Sequence, residues 1–193
     1  MNASPSGSSR PGRVPISMMS RRPHHSTRGR RETPPERRRE PALRVLVIDD
    51  EQDILALCRV TLAHAGHEVL QACDADEGMR LARDERPDVI LLDVMLPRRD
   101  GFSLVEELVA TPSTAAIPIV MLTARARPQD RARGWRAGAS GYVTKPFTPA
   151  TLNETIRVVA TMSPQEREAV RAQALSAVDP AVDHLDHRAD AAG

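Results

Sequence analysis

Short apolar runs alternate with segments of helical periodicity from residue 43 onward, and this alternation restricts the chain to few folds. Five runs rich in Val, Ile and Leu are predicted to be strands: 43–48, 67–72, 88–93, 119–123 and 141–144. The third run is apolar at nearly every position, as expected of a strand covered on both faces. The pattern therefore predicts an α/β domain with a doubly wound, five-stranded parallel sheet and helices on both faces.

Helix signals fill the segments between these strands. Gly66 follows a helical stripe as a stop signal, and Asp74 with Glu77 forms a capping-box pattern for the next helix. Thr148 and Pro149 are typical of the N-cap and first position of the last helix of the domain. The helix after the third strand is predicted to bury Phe102, Val105, Leu108 and Val109.

Composition divides the chain into three parts. Residues 1–41 are rich in Ser, Pro, Gly and Arg and are predicted to be a disordered arm, because they offer little apolar surface to bury. Residues 42–162 carry the alternating pattern and are predicted to form the domain. Residues 163–193 are predicted to form a short helix followed, beyond about Asp179, by a disordered polar tail.

Bulk properties exclude few functions. The formal net charge is +1, which indicates no class of partner, and no apolar run approaches the roughly 18 residues of a membrane span. Cys58 and Cys73 lack metal-binding spacing and are interpreted as two buried, reduced thiols. We therefore expect a cytoplasmic protein without membrane contact.

Polar residues stand where the predicted strands end, and in doubly wound sheets binding sites lie beyond these carboxyl ends. They are Asp49 and Asp50 after the first strand, Asp93 at the end of the third, Thr123 at the end of the fourth and Lys145 after the fifth. Three carboxylates at one rim need a cation, and all-oxygen ligands suit Mg²⁺. A hydroxyl and an ammonium beside such a site can bind a phosphoryl group.

Each of these residues also has a purely structural explanation. Asp49 and Asp50 are typical of a helix N-cap, and Asp93 is typical of a turn. Lys145 favours the functional interpretation, because it is the only lysine among 27 basic residues, although chance retention is the alternative. A compact ammonium fits a narrow site that a planar guanidinium does not.

Separated motifs resemble bacterial two-component response-regulator receiver domains of the CheY-like type. They are VLVIDDE at 45–51, LLDVMLP at 91–97 with Asp-Gly at 100–101, MLTA at 121–124 and YVTKPF at 142–147. Their order and separation match the family from about Leu43 to Met162. The resemblance implies a flavodoxin-like sheet with strand order 2-1-3-4-5.

The resemblance also implies a phosphoacceptor and a metal site. Asp93 is the implied phosphoacceptor, which receives its phosphoryl group from a histidine kinase or a phosphotransfer protein. Mg²⁺ is the implied cofactor, bound directly by Asp50 and Asp93, through water by Asp49, and by the backbone carbonyl of Met95.

The same resemblance implies how the site is coupled to output. Thr123 and Tyr142 are the implied switch residues, Lys145 is implied to pair with the phosphoryl group, and the bond from Lys145 to Pro146 is expected to be cis. A downstream protein partner is expected on the face formed by the fourth helix, the fifth strand and the fifth helix. The protein is then no enzyme, beyond assisting its own phosphoryl transfer and autodephosphorylation.

Several positions depart from relatives that have DNA-binding output, and they put the symmetric dimer of those relatives in doubt. Ser140 and Gly141 stand where two acidic residues are usual, and Thr151 and Thr155 replace an acidic and a basic residue. Trp135, near the same face, either packs on the sheet or anchors a partner. Since only residues 163–193 follow the domain, we expect a single-domain regulator that acts through protein contacts.

Two other functions stay open. The arginine-rich arm supports nonspecific, salt-sensitive binding of nucleic acid through Arg21-Arg22, Arg28, Arg30-Arg31 and Arg37-Arg38-Arg39. The other alternative is a receiver that works without phosphorylation, although all five acceptor-site residues are present.

Overall fold

The computed structural model describes residues 41–124 and 127–189, and within them the chain forms five strands and six helices. The strands are β1 (Arg44–Ile48), β2 (Glu68–Ala72), β3 (Val89–Asp93), β4 (Ile119–Thr123) and β5 (Gly141–Thr144). The helices are α1 (Gln52–His64), α2 (Ala75–Glu85), α3 (Gly101–Ala110), α4 (Pro128–Ala137), α5 (Pro149–Thr161) and α6 (Pro164–Ala189). The predicted arm, with the arginines considered for nucleic-acid binding, lies outside the described residues apart from its last position.

All five strands are parallel and lie in the order β2-β1-β3-β4-β5, which confirms the predicted doubly wound sheet. The strand order reverses between β1 and β3, and such a reversal opens a crevice at the carboxyl ends of the strands. The register places Asp93 beside Leu122 and Thr123 beside Thr144. The polar residues that end these strands therefore share one rim of the sheet.

Two apolar layers cover the sheet. One layer packs under α2 and α3, and the other packs under α1 and α5. Every residue of β3 and of β4 is buried, as the continuous apolar runs predict. Full burial of a Val, Leu or Ile side chain contributes about 1.5–3 kcal/mol, so the sheet is a rigid support for the rim.

One predicted core position of α3 is wrong. Phe102, Val105 and Leu108 are buried as predicted, but Val109 is 39% exposed and Leu104 is buried instead. Val109 is the next-to-last residue of α3, where the buried face of the helix comes to its end. The periodicity had not shown where that face ends.

The predicted burial of both cysteines holds for Cys58 and is wrong for Cys73, which is exposed. Cys73 directly follows β2, an edge strand, where only one side of the chain is covered. The carboxylate of Glu77 accepts hydrogen bonds from the Cys73 amide and thiol, and the thiol bond raises the pKa of Cys73. Burial raises the pKa of Cys58 to about 12.

Helix α6 is longer than predicted, because it continues to Ala189 where a tail was expected beyond about Asp179. Ser163 and Glu166 cap its start reciprocally, with N–H to side-chain distances of 2.7 and 3.2 Å. Residues 164–179 are rich in Ala, Glu and Arg, which favour helix, whereas residues 180–189 begin with Pro180 and their composition does not explain the continuation. Residues 190–193 lie outside the described residues, and no helix among those described is long and apolar enough to cross a membrane.

Candidate metal and phosphoryl site

Three carboxylates lie together where β1 and β3 end. Oxygen atoms of Asp49, Asp50 and Asp93 all lie within 4.8 Å of one another. Asp49 is fully buried and Asp93 is 4% exposed, whereas Asp50 faces solvent. The structure thus brings together the three acidic residues that the sequence places at strand ends.

Backbone amides hold one oxygen of each buried carboxylate. The N–H of Glu51 donates to Oδ1 of Asp49 at 2.9 Å, and the N–H of Met95 donates to Oδ1 of Asp93 at 3.1 Å. Both are local bonds from an Asp side chain to the amide two residues on, a turn that Asp readily forms after a strand. The second oxygen of each carboxylate, Oδ2, is left for another partner.

That partner is the ammonium of Lys145. Its Nζ lies 2.8 Å from Oδ2 of Asp49, 2.8 Å from Oδ2 of Asp93 and 3.2 Å from Oε1 of Glu51. The backbone N–H of Lys145 donates to the carbonyl of Thr123 at 2.8 Å, which ties the end of β5 to the end of β4. The lysine therefore bridges strands that lie far apart in the sequence.

Negative charge exceeds positive charge in this cluster. Burial raises the pKa of the Asp49 carboxyl, and the hydrogen bond from Lys145 offsets this rise only in part. Burial by itself lowers the pKa of Lys145, but its hydrogen bonds to Asp49 and Asp93 outweigh burial and raise it. The ammonium therefore stays charged and faces three carboxylates, so the excess negative charge favours a cation.

The donor set fits Mg²⁺. The three grouped ligands are all carboxylates, and hard oxygen ligands with room for water are what Mg²⁺ prefers. Exposed Asp50 places one side of the group in contact with solvent. The backbone carbonyl of Met95, the fourth predicted donor, belongs to the loop that starts at Asp93. A bound Mg²⁺ would supply positive charge against this cluster and against a phosphoryl group.

A cavity of about 240 Å³ opens next to the loop that follows Asp93. Its lining residues come from the ends of β3 and β4 and from α3 and α4: Val94, Met95, Asp100, Phe102, Thr123, Asp130 and Arg133. Thr123 is buried whereas Met95 is 54% exposed, so the cavity leads from the threonine to the surface. Asp93 itself is not among the lining residues; the space adjoins it through Val94, the next residue in the chain.

Helix α3 approaches the loop that follows Asp93 unusually closely. A Cβ at Gly101 would lie 2.5 Å from the backbone carbonyl oxygen of Asp93, and the Gly101 N–H donates to the carbonyl of Val94 at 3.1 Å. The side chain of Asp100 caps the helix and forms an ion pair with Arg133 of α4. The Asp-Gly motif therefore sets the distance between the helix and the site.

Tyr142 packs against α4. Its hydroxyl donates to the backbone carbonyl of Arg131 at 3.0 Å, and its ring meets that of Trp135 edge-on, with centroids 5.0 Å apart. Gly134 makes room, because a Cβ there would overlap the Tyr142 hydroxyl. Trp135 itself is 5% exposed, so in the structure it is a packing residue.

Comparison with known proteins identifies the domain. A family model described as the response regulator receiver domain matches residues 45–157, more than half of the chain. The chain belongs to the response-regulator receiver family. The receiver resembles the protein PilH of Pseudomonas aeruginosa, with 37% identity over 116 residues that cover 60% of this chain and 96% of PilH.

Other relatives of this receiver are longer. The alkaline phosphatase synthesis transcriptional regulatory protein PhoP of Bacillus subtilis is 38% identical over 60% of this chain and 48% of PhoP. The phosphate regulon transcriptional regulatory protein PhoB of Escherichia coli is 39% identical over 72% of this chain and 61% of PhoB. The receiver chain spans about half the length of several curated relatives it matches, PhoP among them.

Solved structures share the fold of this receiver. The chemotaxis response regulator CheY4 of Vibrio cholerae has a TM-score of 0.59 and 36% identity, over 62% of this chain and 99% of its own. The receiver domain of the sensor histidine kinase PA1611 from Pseudomonas aeruginosa has a TM-score of 0.59 and 30% identity, over 63% of this chain and 100% of its own. That structure is described with a magnesium ion coordinated in the active site cleft.

The residues predicted for the site lie at the carboxyl ends of the strands, except Tyr142, which lies within β5 and packs against α4. The bond between Lys145 and Pro146 is cis, the isomer that the resemblance implies. Sequence reasoning missed Glu51 and Gly134. Glu51 could have been found because it is the third consecutive acidic residue after β1. Gly134 could have been found because an isolated glycine in a helical pattern often marks close packing.

Proposed function

We propose that this receiver accepts a phosphoryl group on Asp93 from a histidine kinase or a phosphotransfer protein. The observation that carries the proposal is the ammonium of Lys145, held between Asp49 and Asp93 at 2.8 Å from each. It places a fixed positive charge against the acceptor oxygen at a mostly buried site, where charges interact strongly. A salt bridge with only a structural role needs one carboxylate, whereas this lysine contacts three.

Transfer to Asp93 exchanges one bond to phosphorus for another. A carboxylate oxygen attacks the phosphorus of a phosphohistidine donor, the P–N bond breaks, and its electron pair stays on the imidazole, which takes up a proton. Oδ1 of Asp93 accepts the N–H of Met95, so we assign the attack to Oδ2, which faces Lys145. Lys145 then moves from Oδ2 to an oxygen of the new phosphoryl group.

We infer that Mg²⁺ is the cofactor, held by Asp49, Asp50, Asp93 and the backbone carbonyl of Met95. Two observations support this: the all-carboxylate cluster, and the magnesium ion described in the cleft of the similar PA1611 receiver domain. Its charge offsets the repulsion between the acceptor carboxylate and the incoming phosphoryl oxygens. Chelation of the metal is therefore expected to stop phosphorylation.

Output is proposed to pass through protein contacts at the α4–β5–α5 face. The phosphoryl group adds roughly −1.5 to −2 charges, by analogy with phosphorylated side chains. Thr123 is proposed to bond a phosphoryl oxygen and Tyr142 to change its packing in response, which shifts the population of conformers. We also propose a cytoplasmic location and no enzymatic activity other than the protein's own phosphoryl transfer and autodephosphorylation.

Intact-protein mass spectrometry after incubation with acetyl phosphate and Mg²⁺ tests this function on the full chain. We expect the mass of one phosphoryl group to be added, and we expect EDTA to prevent it. Asp93→Asn should gain none, whereas the matched control Asp84→Asn, at an exposed position of α2, should gain as much as wild type. Equal gain by Asp93→Asn, or no gain by wild type, rejects the assignment.

A further inference from the structure

Helix α6 occupies the outer side of α4. The two helices pack along each other, and α6 does so with a stripe of half-buried residues one turn apart: Arg167, Val170, Arg171, Ala174 and Leu175. The residues between them, such as Glu168, Ala169, Ala172 and Gln173, are exposed. The stripe has the spacing of a helix face that contacts a partner helix.

Arginines fix the first half of α6 to the end of α4 and to the loop before β4. Arg171 donates from Nη2 to the carbonyl of Gly138 at 3.0 Å and from Nε to the carbonyl of Ala139 at 3.4 Å. Arg167 donates to the carbonyl of Ala116 at 3.0 Å. The carbonyls at the end of a helix lack partners within the helix and favour a cation, so Arg171 acts as a cap from another helix.

Trp135 belongs to α4, the helix that α6 covers. It is 5% exposed, yet it belongs to neither of the two core layers of the sheet. Its ring contacts Tyr142, whose hydroxyl bonds the α4 carbonyl of Arg131. Since α6 is the element that covers α4 from outside, we attribute the remaining burial of Trp135 to α6.

We propose that α6 is a releasable cover of α4, and that phosphorylation of Asp93 weakens its docking through Tyr142 and Trp135. This inference rests on the proposed function. Movement of Tyr142 away from α4 removes both its bond to Arg131 and its edge contact with Trp135, and both partners belong to the helix that α6 covers. The stripe itself contains few large apolar residues, so small changes under it suffice to release the helix. Release exposes the α4 part of the output face.

The coupling must be reciprocal. If a phosphoryl group weakens the docking of α6 by some factor, then the undocked protein must bind a phosphoryl analogue more tightly than the docked protein by the same factor. Ala174→Asp puts a charge in the α4-facing stripe, and Ala172→Asp puts the same charge on the exposed side. The two variants are matched in chemistry and in helix propensity and differ only in the face they change.

The experiment uses the full chain with beryllofluoride and Mg²⁺, with binding followed by ¹⁹F NMR. In wild type we expect bound beryllofluoride to raise acrylamide quenching of Trp135, the only tryptophan, and to speed hydrogen exchange of residues 164–177 but not of α5. Most of the stability of a helix in a protein comes from packing, so an undocked α6 loses protection from exchange. Ala174→Asp should show both changes without ligand and bind beryllofluoride at least about fivefold more tightly, while Ala172→Asp should match wild type.

Failure of this proposal can be told from failure of the proposed function. If ¹⁹F NMR shows bound beryllofluoride while quenching of Trp135 and exchange of 164–177 stay unchanged, α6 is not released and this proposal is wrong. Unchanged beryllofluoride affinity in Ala174→Asp overturns it as well. If beryllofluoride does not bind wild type at all, the phosphoacceptor assignment itself fails, and this inference fails with it.

Discussion

Replacing Asp49 with Asn should stabilise the protein when no divalent cation is bound. Asp49 is fully buried, and burial raises the pKa of its carboxyl from an ordinary value of 3.8, so folding disfavours the ionised form. Asn keeps an acceptor for the N–H of Glu51, and Lys145 keeps Asp93 as its buried partner. We expect a gain of about 1–2 kcal/mol in the free energy of unfolding, on the scale of about 1.4 kcal/mol for each unit by which a folded pKa exceeds the unfolded one.

Magnesium should reverse this order. An ion that binds only the folded wild type adds about 2.7 kcal/mol to its stability at 100 times Kd, whereas a variant without one of the ligands gains far less. The sign of the pH dependence follows from the raised pKa of Asp49. Its carboxyl destabilises the folded state at neutral pH, and this penalty disappears as the pH falls through the folded pKa and below 3.8. The advantage of Asp49→Asn should therefore fade in acid.

Urea unfolding followed by circular dichroism, in EDTA and in saturating Mg²⁺, measures both effects. Asp50→Asn is the matched control, because it makes the same change at the exposed neighbouring residue. It should change stability in EDTA by no more than about 0.5 kcal/mol and should also lose the response to Mg²⁺. The reasoning is refuted if Asp49→Asn is less stable than wild type in EDTA, or if Mg²⁺ stabilises both proteins equally.

Three further predictions concern close contacts and thiols. Gly101→Ala places a Cβ 2.5 Å from a backbone carbonyl oxygen and should cost about 2–3 kcal/mol in urea unfolding; wild-type stability would contradict this. Gly134→Ala should cost about 1–2 kcal/mol, although Ala normally favours helix, because its Cβ overlaps the Tyr142 hydroxyl; a stabilised variant would show that the tyrosine lies elsewhere. Maleimide should label native protein once, at exposed Cys73, and urea should expose Cys58 to a second label visible by mass; two labels on native protein would disprove the burial of Cys58.

Local signals were enough to predict the sheet and the main site residues. Apolar runs identify strands buried on both faces, and parallel strands bring their carboxyl ends to one rim. Asp93 and Lys145 could therefore be assigned to the same site from their positions after strands, although 52 residues separate them in the chain. The family motifs then added roles that spacing alone did not supply.

Other features depend on contacts that no local pattern encodes. Glu51 reaches Lys145 across 94 residues, and its exposed position after β1 looks like that of any helix-starting acid. Val109 and Cys73 were wrongly predicted to be buried, because periodicity does not show where the buried face of a helix ends or where the edge of a sheet lies.

The sequence by itself determined which chemical groups are present, and it predicted that Asp49, Asp50, Asp93, Thr123 and Lys145 end strands of one parallel sheet. Only the tertiary structure decided that α6 covers α4, that Arg171 caps that helix, and that Tyr142 lies over Gly134. The physical reason is that strand ends follow from short-range periodicity, whereas helix docking depends on the shape and charge of surfaces that exist only after the chain has folded.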